Sequence, residues 1–129
     1  MLTIRDPTWD KLAEAAQADF VKRMRAHLRK FFPEQCDALG ELRTGQLIEA
    51  GIMRAREHGF EAERDVCKYI DLMCVFGHRF DRDERLPWAR HILESRFPAD
   101  PEVRMRHLHA TALEALQEIG AAERAGPGG

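Results

Sequence analysis

Cys67, Asp71, Cys74 and His78 follow one another at steps of four, three and four in the stretch "RDVCKYIDLMCVFGHRFDRD". Thiolate, imidazole and carboxylate are the donors that zinc takes, and a thiol beside a histidine is also a candidate nucleophile. The spacing allows both ideas to be tested. On one continuous helix the four side chains would lie along one side. With a 5.4 Å pitch, however, Cys67 and Cys74 would sit roughly 10 Å apart along the axis, whereas bonds to zinc are about 2.3 Å. Four such groups on one helix cannot converge on one ion, and Gly77 is placed to end the helix before His78. Cys74 and His78 could supply two ligands only if Cys36 and another group arrived from elsewhere. A nucleophilic thiolate needs a cation, a base or a helix N-terminus nearby. Cys67 lies near a helix start but has apolar neighbours on its face, and no third orienting group accompanies Cys74 and His78. The remaining reading is packing: Val66, Ile70, Met73 and Cys74 form the centre of an apolar arc, with Cys67 at one edge and Tyr69 and Phe76 at the other. The sequence thus predicts no catalytic residue, no cofactor and no metal.

Other motifs add little chemistry. "DRDE" at 81–84 lacks the spacing and distal glutamate of a calcium loop, and Arg79, Arg82 and Arg85 within and around it predict local charge pairing. His107 and His109 are two apart and point to different sides of a helix. No Gly-rich phosphate loop, Ser-His-Asp set or His-x-x-x-His pair occurs. His27 reads as a partly buried histidine with a local partner, rather than a ligand. The basic segment "KRMRAHLRKFF" has an apolar side that a core must use, so its charges read as a solvated face.

The elements that must position these residues are helical. Asp6-Pro7 has the form of an N-cap followed by a first-turn proline. Trp9, Ala13, Ala16, Phe20, Met24, His27, Leu28 and Phe31 then share one stripe until Pro33. "EQCDALG" reads as a turn into a second helix over about 41–58, with Ile48, Ile52 and Ala55 inward and Gly59 as terminator. Gly45 and Gly51 inside it mark close helix crossings. A third helix is predicted over about 62–76, with Glu63, Arg64 and Asp65 at its start suited to capping and dipole pairing. A fourth starts near Pro87, and a fifth opens at Asp100-Pro101 with Met105, Leu108, Ala112, Ala115, Leu116 and Ile119 on one stripe. The expectation is an all-α single compact domain of about five helices over 1–123, followed by a flexible tail over 124–129.

Length and charge narrow the class. The 129 residues suit one domain, and 44% hydrophobic residues under 33% charged ones suit one core. With 20 basic against 22 acidic residues the formal charge is −2, so no global field favours nucleic acid. "LMCVFG" falls far short of the about 20 apolar residues of a spanning helix. The N-terminus lacks the apolar core of a signal peptide, and three cysteines without a CxxC pair suit a reducing compartment. The expected location is cytoplasmic, without a membrane partner.

Two segments carry a family likeness: "LTIRDPTWDKLAEAAQADFVKRMRAHLRKFFPEQCDALG", and "GIMRAREHGFEAERDVCKYIDLMCVFGHRFDRDERLPWARHIL". The second holds Gly59, Glu63, Arg64, Asp65, Tyr69, Leu72, Met73, Gly77, Phe80, Asp81, Leu86, Pro87 and Trp88 in a recurring pattern. The chain resembles small helical bacterial proteins encoded beside type VI secretion spike and effector genes; His78 and the second cysteine depart from the usual pattern. The resemblance implies an accessory role, a non-enzymatic adaptor or co-chaperone that helps a secretion chaperone load a toxin effector on to the spike. It carries over no catalytic residue. Two other readings stand beside it: an immunity protein that neutralises a neighbouring toxin, and a small enzyme or metal protein using Cys67, Cys74 and His78. A homo-oligomer is compatible with each.

The motif also has a physical reading. Phe80, Leu86 and Trp88 fall in an expected loop of roughly ten residues between Gly77 and the fourth helix. Aromatics in a loop clamp it on to a core or anchor a partner. The clamp is the first expectation. A partner surface here would consist of Phe80, Asp81, Leu86 and Trp88.

Overall fold

Prolines punctuate the chain. In a computed structural model that describes residues 7–95 and 97–124, four of the five α-helices begin on one: α1 (Pro7–Phe31), α2 (Pro33–Glu57), α4 (Pro87–Ser95) and α5 (Pro101–Arg124). Proline suits the first helical position because its missing N–H would have no partner there and its φ is already helical. α3 (Glu63–Phe76) begins instead with acidic residues, Glu63 and Asp65, in a first turn that has no side-chain cap; their charge complements the N-terminal end of the helix dipole. At α5 the Asp100 carboxylate accepts the Glu102 N–H at 3.0 Å, so the Asp-Pro signal forms a cap. The matching Asp6 and the expected tail beyond Arg124 lie outside the described residues.

Glycines end α2 and α3. Gly59 and Gly77 have φ of 91° and 111°, backbone that a side chain would strain. A third positive-φ glycine, Gly40, lies inside α2 and breaks it (φ 77°, ψ 170°). The stretch read as an irregular turn, "EQCDALG", is therefore mostly helical. One short helical piece precedes Gly40, and the long piece starts after it with Thr44 Oγ1 donating to the Gly40 carbonyl at 2.7 Å.

The cross-links give the helix directions. Arg29 pairs with Asp37, and Arg56 donates to Gln17, so α1 and α2 are antiparallel. α2 meets α3 at Gly51, where a Cβ would come within 2.5 Å of Ile70 Cγ1 and 3.2 Å of Met73 Sδ. That position is the close crossing expected from a glycine inside a helix. Gly45 faces the Arg25 guanidinium instead. α3 and α5 run side by side, with Arg64 reaching Glu102 at 3.6 Å. Between them the chain makes a 3-10 turn at Phe80–Arg82 and then α4.

The core lies where these helices meet. Phe20, Met24 and Leu28 come from α1, Ile48, Ile52 and Ala55 from α2, and Val66, Ile70 and Met73 from α3; Ile92, Leu93, Met105, Leu108 and Ala112 complete it from α4 and α5. Each fully buried aliphatic side chain of this kind contributes on the order of 1.5–3 kcal/mol. Tyr69, expected at the edge of the α3 arc, is fully enclosed, because the 3-10 turn closes over it with Phe80 at 5.0 Å between ring centroids. The described residues form an all-α domain with no strand, and none of its helices is long and apolar enough to cross a membrane.

Two amphipathic stripes are longer than the core. Ala13 and Ala16 lie on the α1 stripe yet are exposed, as is Leu12 beside them, because no described residue covers that face of the first turns of α1. At the other end Leu116 and Ile119 continue the α5 stripe past Ala112 but remain 38% and 47% exposed.

Candidate functional site

The segment after Gly77 is fixed by an enclosed polar knot. Asp81 accepts from His58 Nε2 at 3.1 Å and from Arg54 Nη1 at 3.5 Å, and the Asp81 side chain is 4% exposed. Arg54 also donates to the His78 carbonyl at 3.4 Å. Arg104 on α5 donates to the His58 carbonyl and lies over the Phe60 ring at 4.9 Å, closing the α2–α3 turn against α5. The Tyr69 hydroxyl is buried beside Asp81 and makes no hydrogen bond of normal geometry among the described residues. Burial first, and the Asp81 charge second, push its pKa upward.

The four residues of the expected partner surface therefore divide. Phe80 is wholly enclosed and Asp81 faces the knot, so these two face the interior. Leu86 and Trp88 are half-buried against the core. Trp88 lies in α4 rather than in a loop, since Pro87 already starts the helix. Its ring packs edge-on against Phe76 at 5.3 Å between centroids. The geometry of all four is that of a clamp holding the connection down, with part of Leu86 and Trp88 left at the surface. In the neighbouring "DRDE" stretch, Asp83 receives two side-chain bonds from Arg85, at 2.9 and 3.1 Å; these hold its pKa below the ordinary value.

The α3 face behaves differently from the single-helix picture. Cys74 is half-buried among apolar groups, and His78 is exposed beyond the helix end. Burial, and then the Asp71 charge, push the Cys74 thiol up to about 12. Cys67 and Asp71, one turn apart on α3, instead meet a residue from another helix. His27 Nε2 on α1 lies 2.8 Å from Asp71 Oδ1 and 3.7 Å from Cys67 Sγ. These three donor atoms lie within 4.8 Å of one another. The His27 ring packs against Phe31 in a tilted arrangement, 4.9 Å between centroids. Burial raises the pKa of the Asp71 carboxyl, with the His27 bond and the charges of His27 and His109 opposing the shift. Burial and the Asp71 charge push the Cys67 thiol up to about 11.

His27 was expected to find a local partner; its partner, Asp71, lies 44 residues along the chain on another helix. The legible signals were a histidine on the buried stripe of α1 and a Cys/Asp pair at i, i+4 on α3, which belong to different helices. Only the packing of α1 on α3 brings them together.

These features define an all-α helical domain with a His-Cys-Asp cluster at one seam and two exposed apolar stripes. No protein-family model, curated protein or solved structure matches the chain.

Proposed function

We propose that the protein is a non-enzymatic adaptor or co-chaperone that binds an effector–chaperone assembly and helps load a toxin on to the type VI secretion spike. The observation that carries the reading is the length of the apolar stripes. The α1 and α5 stripes continue past the core, leaving Leu12, Ala13 and Ala16 at one end and Leu113, Leu116 and Ile119 at the other exposed. Beside α1, a groove of about 250 Å³ is lined by apolar Ala13, Ala16, Phe20, Ile52 and Val66 together with Gln17, Arg56, Glu61 and Glu63. A lining that mixes apolar and charged side chains suits an amphipathic helix or hydrophobic segment of a protein partner. The resemblance of the two long segments to proteins encoded beside spike and effector genes supports the choice of a secretion chaperone and effector as that partner.

The test is capture from a lysate of the producing bacterium with the tagged full chain. Recovery of an effector together with its chaperone supports the proposal, and Leu116→Glu with Ile119→Glu is expected to abolish that recovery without lowering the melting temperature. Recovery of the toxin alone, with its activity inhibited, sinks the adaptor reading in favour of immunity.

A further inference from the structure

We propose that His27, Cys67 and Asp71 form a divalent transition-metal site, of zinc type, that bridges α1 and α3.

The first argument is convergence. The donors come from two helices, and Cys67 and Asp71 are one turn apart on α3, so both can face the same point above its surface. Tetrahedral zinc with bonds of about 2.0–2.3 Å separates its donor atoms by about 3.3–3.6 Å. The Sγ–Nε2 separation of 3.7 Å already agrees. The Nε2–Oδ1 separation of 2.8 Å must open by about half an ångström, a small rotation for side chains that are 28% exposed on both residues.

The second argument is hydrogen-bond valence. Both Cys67 and Asp71 address the same ring nitrogen, Nε2. A Cys–His–Asp relay would place the carboxylate on the opposite nitrogen from the thiol, so the arrangement is wrong for nucleophilic catalysis. One nitrogen also cannot serve both neighbours well. As an N–H it donates to Asp71 and leaves the thiol without an acceptor there; as a lone pair it takes the thiol proton and faces the carboxylate unprotonated. A cation at the common point satisfies all three at once.

The third argument is donor chemistry. A thiolate and an imidazole select zinc, cobalt or copper over magnesium and calcium. Thiolate plus carboxylate supply two negative charges, which a divalent ion balances. The partial exposure leaves a fourth position for water, and no reaction is implied by it. On binding, the Cys67 thiol loses its proton to solvent, so uptake releases about one proton per ion. The site does not depend on the adaptor reading.

Cobalt(II) and zinc(II) are the probes, added to the purified, metal-stripped full chain. One cobalt per chain should bind with a thiolate-to-cobalt charge-transfer band, and zinc should displace it. Cys67→Ser should remove the band, Asp71→Asn and His27→Gln should weaken binding at least tenfold, and Cys36→Ser and Cys74→Ser should leave it unchanged. Should a variant fail to fold, alkylation of the unmodified chain still decides. Zinc should slow modification of Cys67, located by peptide mass mapping, at least tenfold while leaving Cys36 and Cys74 as reactive as before. Absence of the band, its persistence in Cys67→Ser, or equal protection of all three thiols overturns the proposal.

Discussion

Tyr69→Phe tests the polar knot at its weakest point. The Tyr69 ring is fully buried and packs against Phe80, His58 and Phe60 at centroid distances of 5.0, 5.8 and 6.4 Å. Phenylalanine keeps each of those contacts, so the substitution removes the hydroxyl alone. That hydroxyl is enclosed without a bonded partner among the described residues, and an unsatisfied buried hydroxyl costs about 1–3 kcal/mol. A small void replaces it and offsets part of the gain. The expected result is a stabilisation of about 1 kcal/mol, or a melting temperature higher by about 3–6 °C for a chain of this size. Urea unfolding followed by circular dichroism measures it, with an unchanged m-value showing that the unfolded state is the same.

The pH dependence supplies a second reading of the same variant. The folded-state pKa of Tyr69 lies above its unfolded value. The folded state therefore holds the phenolic proton more tightly, and stability falls as pH rises through the ordinary tyrosine value of about 10. Tyr69→Phe should flatten that alkaline limb. A loss of 1 kcal/mol or more at neutral pH would refute the reasoning, because it would mean that Tyr69 donates to Asp81. Combining Tyr69→Phe with Asp81→Asn would then show coupling above about 0.5 kcal/mol, whereas additivity is expected here.

Gly51→Ala should destabilise by about 1–2 kcal/mol in thermal or urea melts, because a Cβ 2.5 Å from Ile70 costs more in overpacking than the roughly 1 kcal/mol that alanine gains in helix propensity. Gly45→Ala should be neutral or stabilising in the same melts, since its obstacle is the movable end of the exposed Arg25 side chain. For Cys74 the folded thiol is pushed up from 9.0 to about 12; its contribution is intact below the unfolded value and is lost as pH rises above about 9, so melts of Cys74→Ser should show a shallower decline there than the parent protein. Trp88→Ala should lower stability by about 1–3 kcal/mol through loss of its packing on Phe76; normal melting with lost partner capture would instead make the ring an interface anchor.

Helix identity was legible because proline, glycine and a 3.6-residue period act locally. Pro33 ends α1, Gly77 ends α3 and Asp100 caps α5 through groups within a few residues. Gly51 was legible for a similar reason, since a glycine inside a helix implies a neighbour that needs the space. Burial depth was less legible. A helical wheel gives the direction of a stripe but not the length of the partner it meets, so Ala16 and Ile119 carried the same signal as Phe20 and Leu108 and ended at the surface. Tyr69 shows the converse, as its cover comes from the Phe80 turn rather than from its own helix. The His27 cluster was illegible in the α3 segment, because its third donor is 40 residues away from Cys67 on another helix.

The placement of polar side chains separates structure from candidate chemistry. Asp81, Arg54, His58 and Arg104 bind one another or nearby carbonyls around the buried Asp81 carboxylate, and removing both Arg54 and His58 would leave that charge unpaired. They are poor candidates for a ligand because a ligand would have to displace structural bonds. The α1–α3 seam is different. A second cross-link there among the described residues, Arg23 to Glu63 at 2.7 Å, joins side chains that are each about half exposed, and such pairs contribute at most about 1 kcal/mol. The tilt of α1 on α3 is set by their apolar packing in the shared core, and the His27 cluster is the partly enclosed polar contact across that seam. The same α1 carries the exposed Leu12 to Ala16 face, roughly 16–22 Å along the axis from His27 at 1.5 Å per residue. A cation fixing His27 to α3 would fix the direction of that face. Metal binding and partner binding would then be linked through one rigid helix, and the linkage would act equally in both directions.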